Sequence, residues 1–151
     1  MTRVTVESFS VGLAPGEGLA FVREEGELRD GVNPDVRARA LGRGETTLLH
    51  STSWRWEPDG RIVLTYLAWT RDGTLPSDAR RLPRLPPPAP TDPLHPRPAE
   101  IRELDPLAHG LRHLSFLLAT SRDGALAAAL GPKGVAALSA MEADVGGELP
   151  R

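Results

Sequence analysis

The side chains of this 151-residue chain that are equipped for chemistry lie in two places, the segment from His50 to Tyr66 and a pair of histidines at 109 and 113. In His50-Ser51-Thr52-Ser53-Trp54-Arg55 an imidazole, an indole and a guanidinium follow one another on a strand-like stretch, with Tyr66 nearby. If His50, Thr52 and Trp54 line one face of a sheet, Trp54 can stack on a planar ligand while Arg55 meets its negative charge. His50, Trp54, Arg55 and Tyr66 are therefore the candidate ligand-binding residues. The plainer alternative is a half-solvated strand whose hydroxyls pair across the sheet and whose tryptophans fill core.

His109-x-x-x-His113 places two imidazoles on one side of a helix, where they can bind one metal ion, and His50 can supply a third ligand from the sheet. His50, His109 and His113 are thus a candidate metal set for a metal-dependent hydrolase. Gly110 follows His109, however, so the glutamate of an HExxH site is missing. On a helix of about 100° per residue, Leu107, Leu111, Leu114 and Leu118 form one stripe, and His109, Arg112, His113 and Phe116 centre on the opposite side. If the leucines pack on the sheet, the second stripe looks outward, and Arg112 and Phe116 become candidate residues of a homodimer or partner interface.

Other chemistry is excluded more simply. With no cysteine there is no disulfide, thiol nucleophile or thiolate metal site. The chain has no G-x-S-x-G elbow and no glycine-rich phosphate loop of either common spacing, so no catalytic residue is assigned and no cofactor is expected. A net charge of −2 and a pI near 6.1 give no basic surface for nucleic acid. No run approaches the ~20 apolar residues of a membrane span, and Met1–Leu13 has no signal-peptide pattern. The expectation is a soluble, cytoplasmic protein without a membrane or nucleic-acid partner.

The elements that must position these groups can be read from pattern. Residues 3–13 and 18–24 alternate polar and β-favouring residues around Ala14-Pro15-Gly16, which predicts a hairpin. Asn33-Pro34-Asp35 predicts the capped start of a short helix that Gly42 stops. Residues 46–57 and 61–71 hold all three tryptophans and the only tyrosine, and Glu57-Pro58-Asp59-Gly60-Arg61 fits a three-residue turn with Gly60 in the left-handed position. That register sets Trp56 opposite Ile62, Trp54 opposite Leu64, Thr52 opposite Tyr66 and His50 opposite Ala68, all on one face.

Residues 82–98 contain eight prolines and predict an extended connector within a single domain spanning 1–151. A short strand at 100–104, a helix capped by Asp105 over 105–120, and two further helical stretches after Asp123, broken at Gly131-Pro132, complete the reading.

Two segments, GRIVLTYLAW and AEIRELDPLAHGLRHLSFLLA, resemble parts of the Nudix hydrolase family: a strand of its sheet, and a later stretch with an acidic strand, a turn and a closing helix. The resemblance implies a mixed sheet flanked by helices. The family's defining glutamate box is absent, since residues 22–45 offer Arg37 and Arg39 where metal-binding glutamates belong, so it implies lost magnesium chemistry. The expected fold is α+β, an antiparallel or mixed sheet around the Trp-rich hairpin with C-terminal helices on at least one face. The expected function is non-catalytic binding of a small anionic or aromatic, nucleotide-like ligand, with the hydrolase and the dimer as alternatives.

Overall fold

The computed structural model describes residues 2–83, 101–122 and 124–141. In chain order the elements are β1 (Val4–Leu13), β2 (Leu19–Glu27), α1 (Pro34–Leu41), β3 (Thr46–Trp56), β4 (Ile62–Thr70), β5 (Arg80–Arg81), α2 (Asp105–Thr120) and α3 (Gly124–Ser139). The fold is α+β, with a mixed sheet in the order β3-β4-β1-β2-β5. β1 and β2 form an antiparallel hairpin, β1 runs parallel to β4, and β4 pairs antiparallel with β3.

Local chemistry accounts for the boundaries. The Asn33 side chain accepts a hydrogen bond from the Asp35 amide at 2.8 Å, and Pro34 opens α1 where its missing N–H costs nothing. At the β3–β4 turn the Glu57 amide donates to the Arg61 carbonyl at 2.9 Å and the Gly60 amide to the Glu57 carbonyl at 2.9 Å. Gly60 has φ of 86°, which completes the expected three-residue connection. α3 bends at Gly131, φ 75°, just before Pro132.

Two expectations are corrected here. Residues 101–104 are turn and coil, not strand: the Asp105 carboxylate takes the Arg102 amide at 2.8 Å and pairs with its guanidinium, folding the chain tightly into α2. Asp105 is thus the first residue of the helix, and its cap position is Leu104. The unexpected β5 adds two residues beside Ala20 and Phe21 at the opposite sheet edge. Most of the proline-rich run, and Asp123, lie outside the described residues.

The sheet is covered on both faces. Phe9, Val11, Leu19, Phe21, Leu67 and Trp69 pack against the leucines of α2 and α3. Val6 and Tyr66, with Leu49 and Leu64 beside them, pack on the other face against Ala38 of α1. No helix among the described residues is long and apolar enough to cross a membrane.

Candidate functional site

Strand β3 carries most of the candidate residues, and its path decides what they can do together. From the turn, Trp56 pairs with Ile62, Trp54 with Leu64 and Ser53 with Thr65, as the turn geometry demands. Ser51 then pairs with Tyr66, so Thr52 is an extra residue and β3 bulges at that point. Because side chains alternate with period two, one inserted residue reverses the sides for everything beyond it. His50 consequently lies opposite Leu67, and Leu49 opposite Ala68.

Strand alternation, which sets Arg55 opposite in side to Trp54, and the bulge, which turns His50, together divide the expected ligand set. Trp54 and Trp56 pair with β4 residues of the α1 side, the side that also holds Tyr66. His50 and Arg55 pair with Leu67 and Val63, on the side covered by α2 and α3. His50, Trp54, Arg55 and Tyr66 therefore do not converge. A run of Ser-Thr-Ser has no apolar alternation from which the register change could be read.

On the α1 side, Trp54 and Trp56 are 51% and 48% exposed, whereas Trp69 is buried in the helical core. Tyr66 is buried, and its hydroxyl donates to Asp35 Oδ1 at 2.6 Å. Burial and this carboxylate push the tyrosine pKa up to about 12. Tyr66 thus anchors α1 to the sheet.

The opposite side is polar in a way the sequence reading did not foresee. Glu7 of β1 is 1% exposed, yet Arg55 Nη1 donates to its Oε1 at 2.9 Å, Arg23 Nε to its Oε2 at 2.7 Å and the Thr65 hydroxyl to Oε1 at 2.9 Å. Burial alone pushes this carboxyl up. The hydrogen bond and charge of Arg55, with help from Arg23 and Thr65, outweigh that and hold it below its usual range. Arg55 also reaches Glu57 at 2.7 Å, so its guanidinium is engaged on both sides. A Glu within a β-favouring run, VTVESFSV, was the available signal for a buried acid.

Farther along this side, His50 Nε2 lies 2.9 Å from His113 Nδ1 of α2, with the rings tilted by 49°. The two helices approach closely. A Cβ on Gly110 would stand 2.9 Å from Thr52 Cγ2, and one on Gly134 would stand 2.8 Å from Trp69 Cζ2.

The expectation that His109 and Arg112 look outward is also corrected. They are 0% and 7% exposed, because α2 is enclosed by the sheet on one side and by α3 on another. Ser115, for example, donates to the Leu138 carbonyl at 2.8 Å. Of the candidate interface residues, Arg112 is internal and Phe116 is half-buried. Among the described residues no group of three or more histidine, aspartate and glutamate side chains is arranged to hold a metal ion, and His50, His109 and His113 are included in that statement. Comparison with known proteins finds no matching family model, no matching curated protein and no matching solved structure.

Proposed function

We propose that this protein is a non-catalytic binding domain that receives a small molecule with a planar, nucleobase-like ring on the indoles of Trp54 and Trp56. The observation that carries this reading is the half-exposure of two large aromatic side chains on the same side of one strand. Residues i and i+2 of a strand stand roughly 6.6 Å apart at about 3.3 Å per residue, so a ring can rest on either indole or bridge both. Stacking on such a surface contributes about 1–3 kcal/mol per base.

The strand beneath is stiff. Arg55, between the two tryptophans in sequence, is held on the other face by Glu7, Glu57 and Thr65, and the turn is closed by its own hydrogen bonds. A pre-ordered platform loses little freedom when the ligand lands.

Titration with nucleosides and nucleotides, read by tryptophan quenching and by thermal shift, tests this. Saturable quenching with a raised Tm is expected, and Trp54→Ala and Trp56→Ala each weaken it by about tenfold or more, in line with the stacking energy. A panel of ring compounds at millimolar concentration that produces neither signal refutes the reading.

A further inference from the structure

We propose that the ring received on Trp54 and Trp56 is guanine, and that Asp35 selects it by accepting hydrogen bonds from its ring N–H and its exocyclic amine. The assignment rests on the stacking platform proposed above, and the border of that platform points to it. On the α1 side of the hairpin three cross-strand pairs follow one another, Trp56 with Ile62, Trp54 with Leu64 and Ser51 with Tyr66. Trp54 and Tyr66 are therefore diagonal neighbours on one face, a separation of roughly 7–8 Å that aromatic side chains span.

The phenol of Tyr66 brings a carboxylate to the same place. Asp35 and Ala38 are three positions apart on α1 and share a side of it, and Ala38 is buried against Val6 and Tyr66. Asp35 thus stands on the sheet-facing side, where its Oδ1 takes the Tyr66 proton at 2.6 Å. Its amide donates to Asn33 Oδ1 at 2.8 Å, and the ring of Pro34 fixes the backbone just before it. Burial and the Asp35 carboxylate push the Tyr66 pKa up to about 12, so the phenol stays a donor at every physiological pH. One carboxylate oxygen is spent on this bond. The residue is nevertheless exposed, and among the described residues it has no ion-pair partner, so Oδ2 is left as an acceptor at the rim.

A carboxylate only accepts. Beside a stacking surface it favours a base whose edge presents donors together and disfavours one that presents a lone pair. Guanine is the common base with two adjacent donors, the ring N–H and the exocyclic amine. Adenine and cytosine set a ring-nitrogen lone pair beside their amine, and uracil and hypoxanthine offer one N–H next to a carbonyl. Stacking on the indoles is tolerant of all of them, so the choice among bases falls to Asp35.

Calorimetric titration of the full chain with the monophosphates of guanosine, inosine, adenosine and xanthosine tests this, since the four share one sugar phosphate and differ in the edge. The guanine nucleotide is expected to bind about tenfold or more tightly than those of adenine and hypoxanthine, the loss that accompanies an unmade hydrogen bond to a charged group. Asp35→Asn keeps an oxygen for Tyr66 and places a donor nitrogen where Oδ2 stood. It is expected to weaken the guanine nucleotide about tenfold and to reverse its order with the xanthine nucleotide, whose carbonyl replaces the amine. A change in stability alone moves all four together. Equal affinity for the guanine and adenine nucleotides in the wild-type chain overturns the assignment while leaving the platform in place, and this comparison needs no variant to fold. A folded Asp35→Asn chain that still prefers guanine to xanthine overturns it as well. Binding of none of the four removes platform and assignment together.

Discussion

Glu7 and Arg55 belong to strands that do not touch, and their side chains meet over β4, with Arg55 Nη1 2.9 Å from Glu7 Oε1 and the Thr65 hydroxyl joined to both. Removing one member weakens the hold on the others. Glu7→Ala takes the shared buried carboxylate from Arg55 and Arg23, leaving them Glu57 and Glu25 as acidic partners, and is expected to cost about 3 kcal/mol in urea unfolding, the low end for breaking a buried pair. Replacing the pair together, Glu7→Leu with Arg55→Met, is expected to cost much less than the sum of the single changes, because the two most buried charges go together and Arg23 keeps Glu25. Additive losses would mean that the pair is not coupled.

Acid weakens the fold in two steps, for separate reasons. The His50 ring resists protonation in the folded chain, with a pKa of about 4 against 6.5, so the unfolded chain binds more protons between those values. Its contribution is complete above pH 6.5 and falls away as the pH drops towards 4. For the partly exposed ring this amounts to about 1–2 kcal/mol after allowance for solvent screening. Glu7, held below the ordinary 4.5, contributes above that value and loses its contribution as the pH falls further. Urea midpoints measured from pH 7.5 to pH 3.5 are expected to show both declines, and His50→Gln is expected to flatten only the first.

The close seat of α2 on the sheet has a steric signature. In Gly110→Ala the added methyl meets Thr52 Cγ2 at 2.9 Å, and the β-branched Thr52 is itself buried. Overpacking of about 1–3 kcal/mol is expected to exceed the gain of ~1 kcal/mol in helix propensity, leaving a net loss. Thr52→Ser removes that methyl carbon, so the double change Gly110→Ala with Thr52→Ser is expected to recover much of the stability. Thermal unfolding of the four proteins of this cycle decides the matter.

The three tryptophans are expected to separate into two energetic classes. Trp69 lies in the core against α3, and Trp69→Ala is expected to cost about 3–5 kcal/mol. Trp54→Ala and Trp56→Ala, at half-exposed positions, are each expected to cost less than about 1 kcal/mol. Denaturant midpoints provide the check, and similar losses for all three would show that the outer pair is part of the packing.

What the sequence made legible was mostly local. The Pro58-Asp59-Gly60 turn, the Asn33 cap and the break at Gly131 each rest on a residue whose backbone preference acts within a few positions, and each appears as expected. Sidedness was harder. Counting outward from the turn placed Trp54 and Trp56 opposite Leu64 and Ile62 correctly, but the count failed at Thr52, where the bulge is stabilised by a tertiary contact with Gly110. The histidine stripe of α2 was misread for a related reason. Helix periodicity identifies two faces without saying that a sheet and a second helix can bury both, and the Ser115 hydroxyl that ties α2 to α3 lies 23 residues from the carbonyl that accepts it. The Glu7 cluster draws on four strands and a turn, a convergence that no single stretch of sequence displays.

The inserted Thr52 makes the sidedness of the strand before it depend on parity. Deleting one residue there would leave Trp54, Trp56 and Arg55 in the register set by the turn and exchange the inward and outward sets of the residues before the bulge, turning His50 away from the helical roof and Leu49 beneath it. The chain would keep its turn and its aromatic exterior while forfeiting the contact of His50 with His113. A loss of three nucleotides is therefore enough to undo the seat of α2 on this edge, whereas many substitutions at the same position would leave the orientation of every neighbour unchanged.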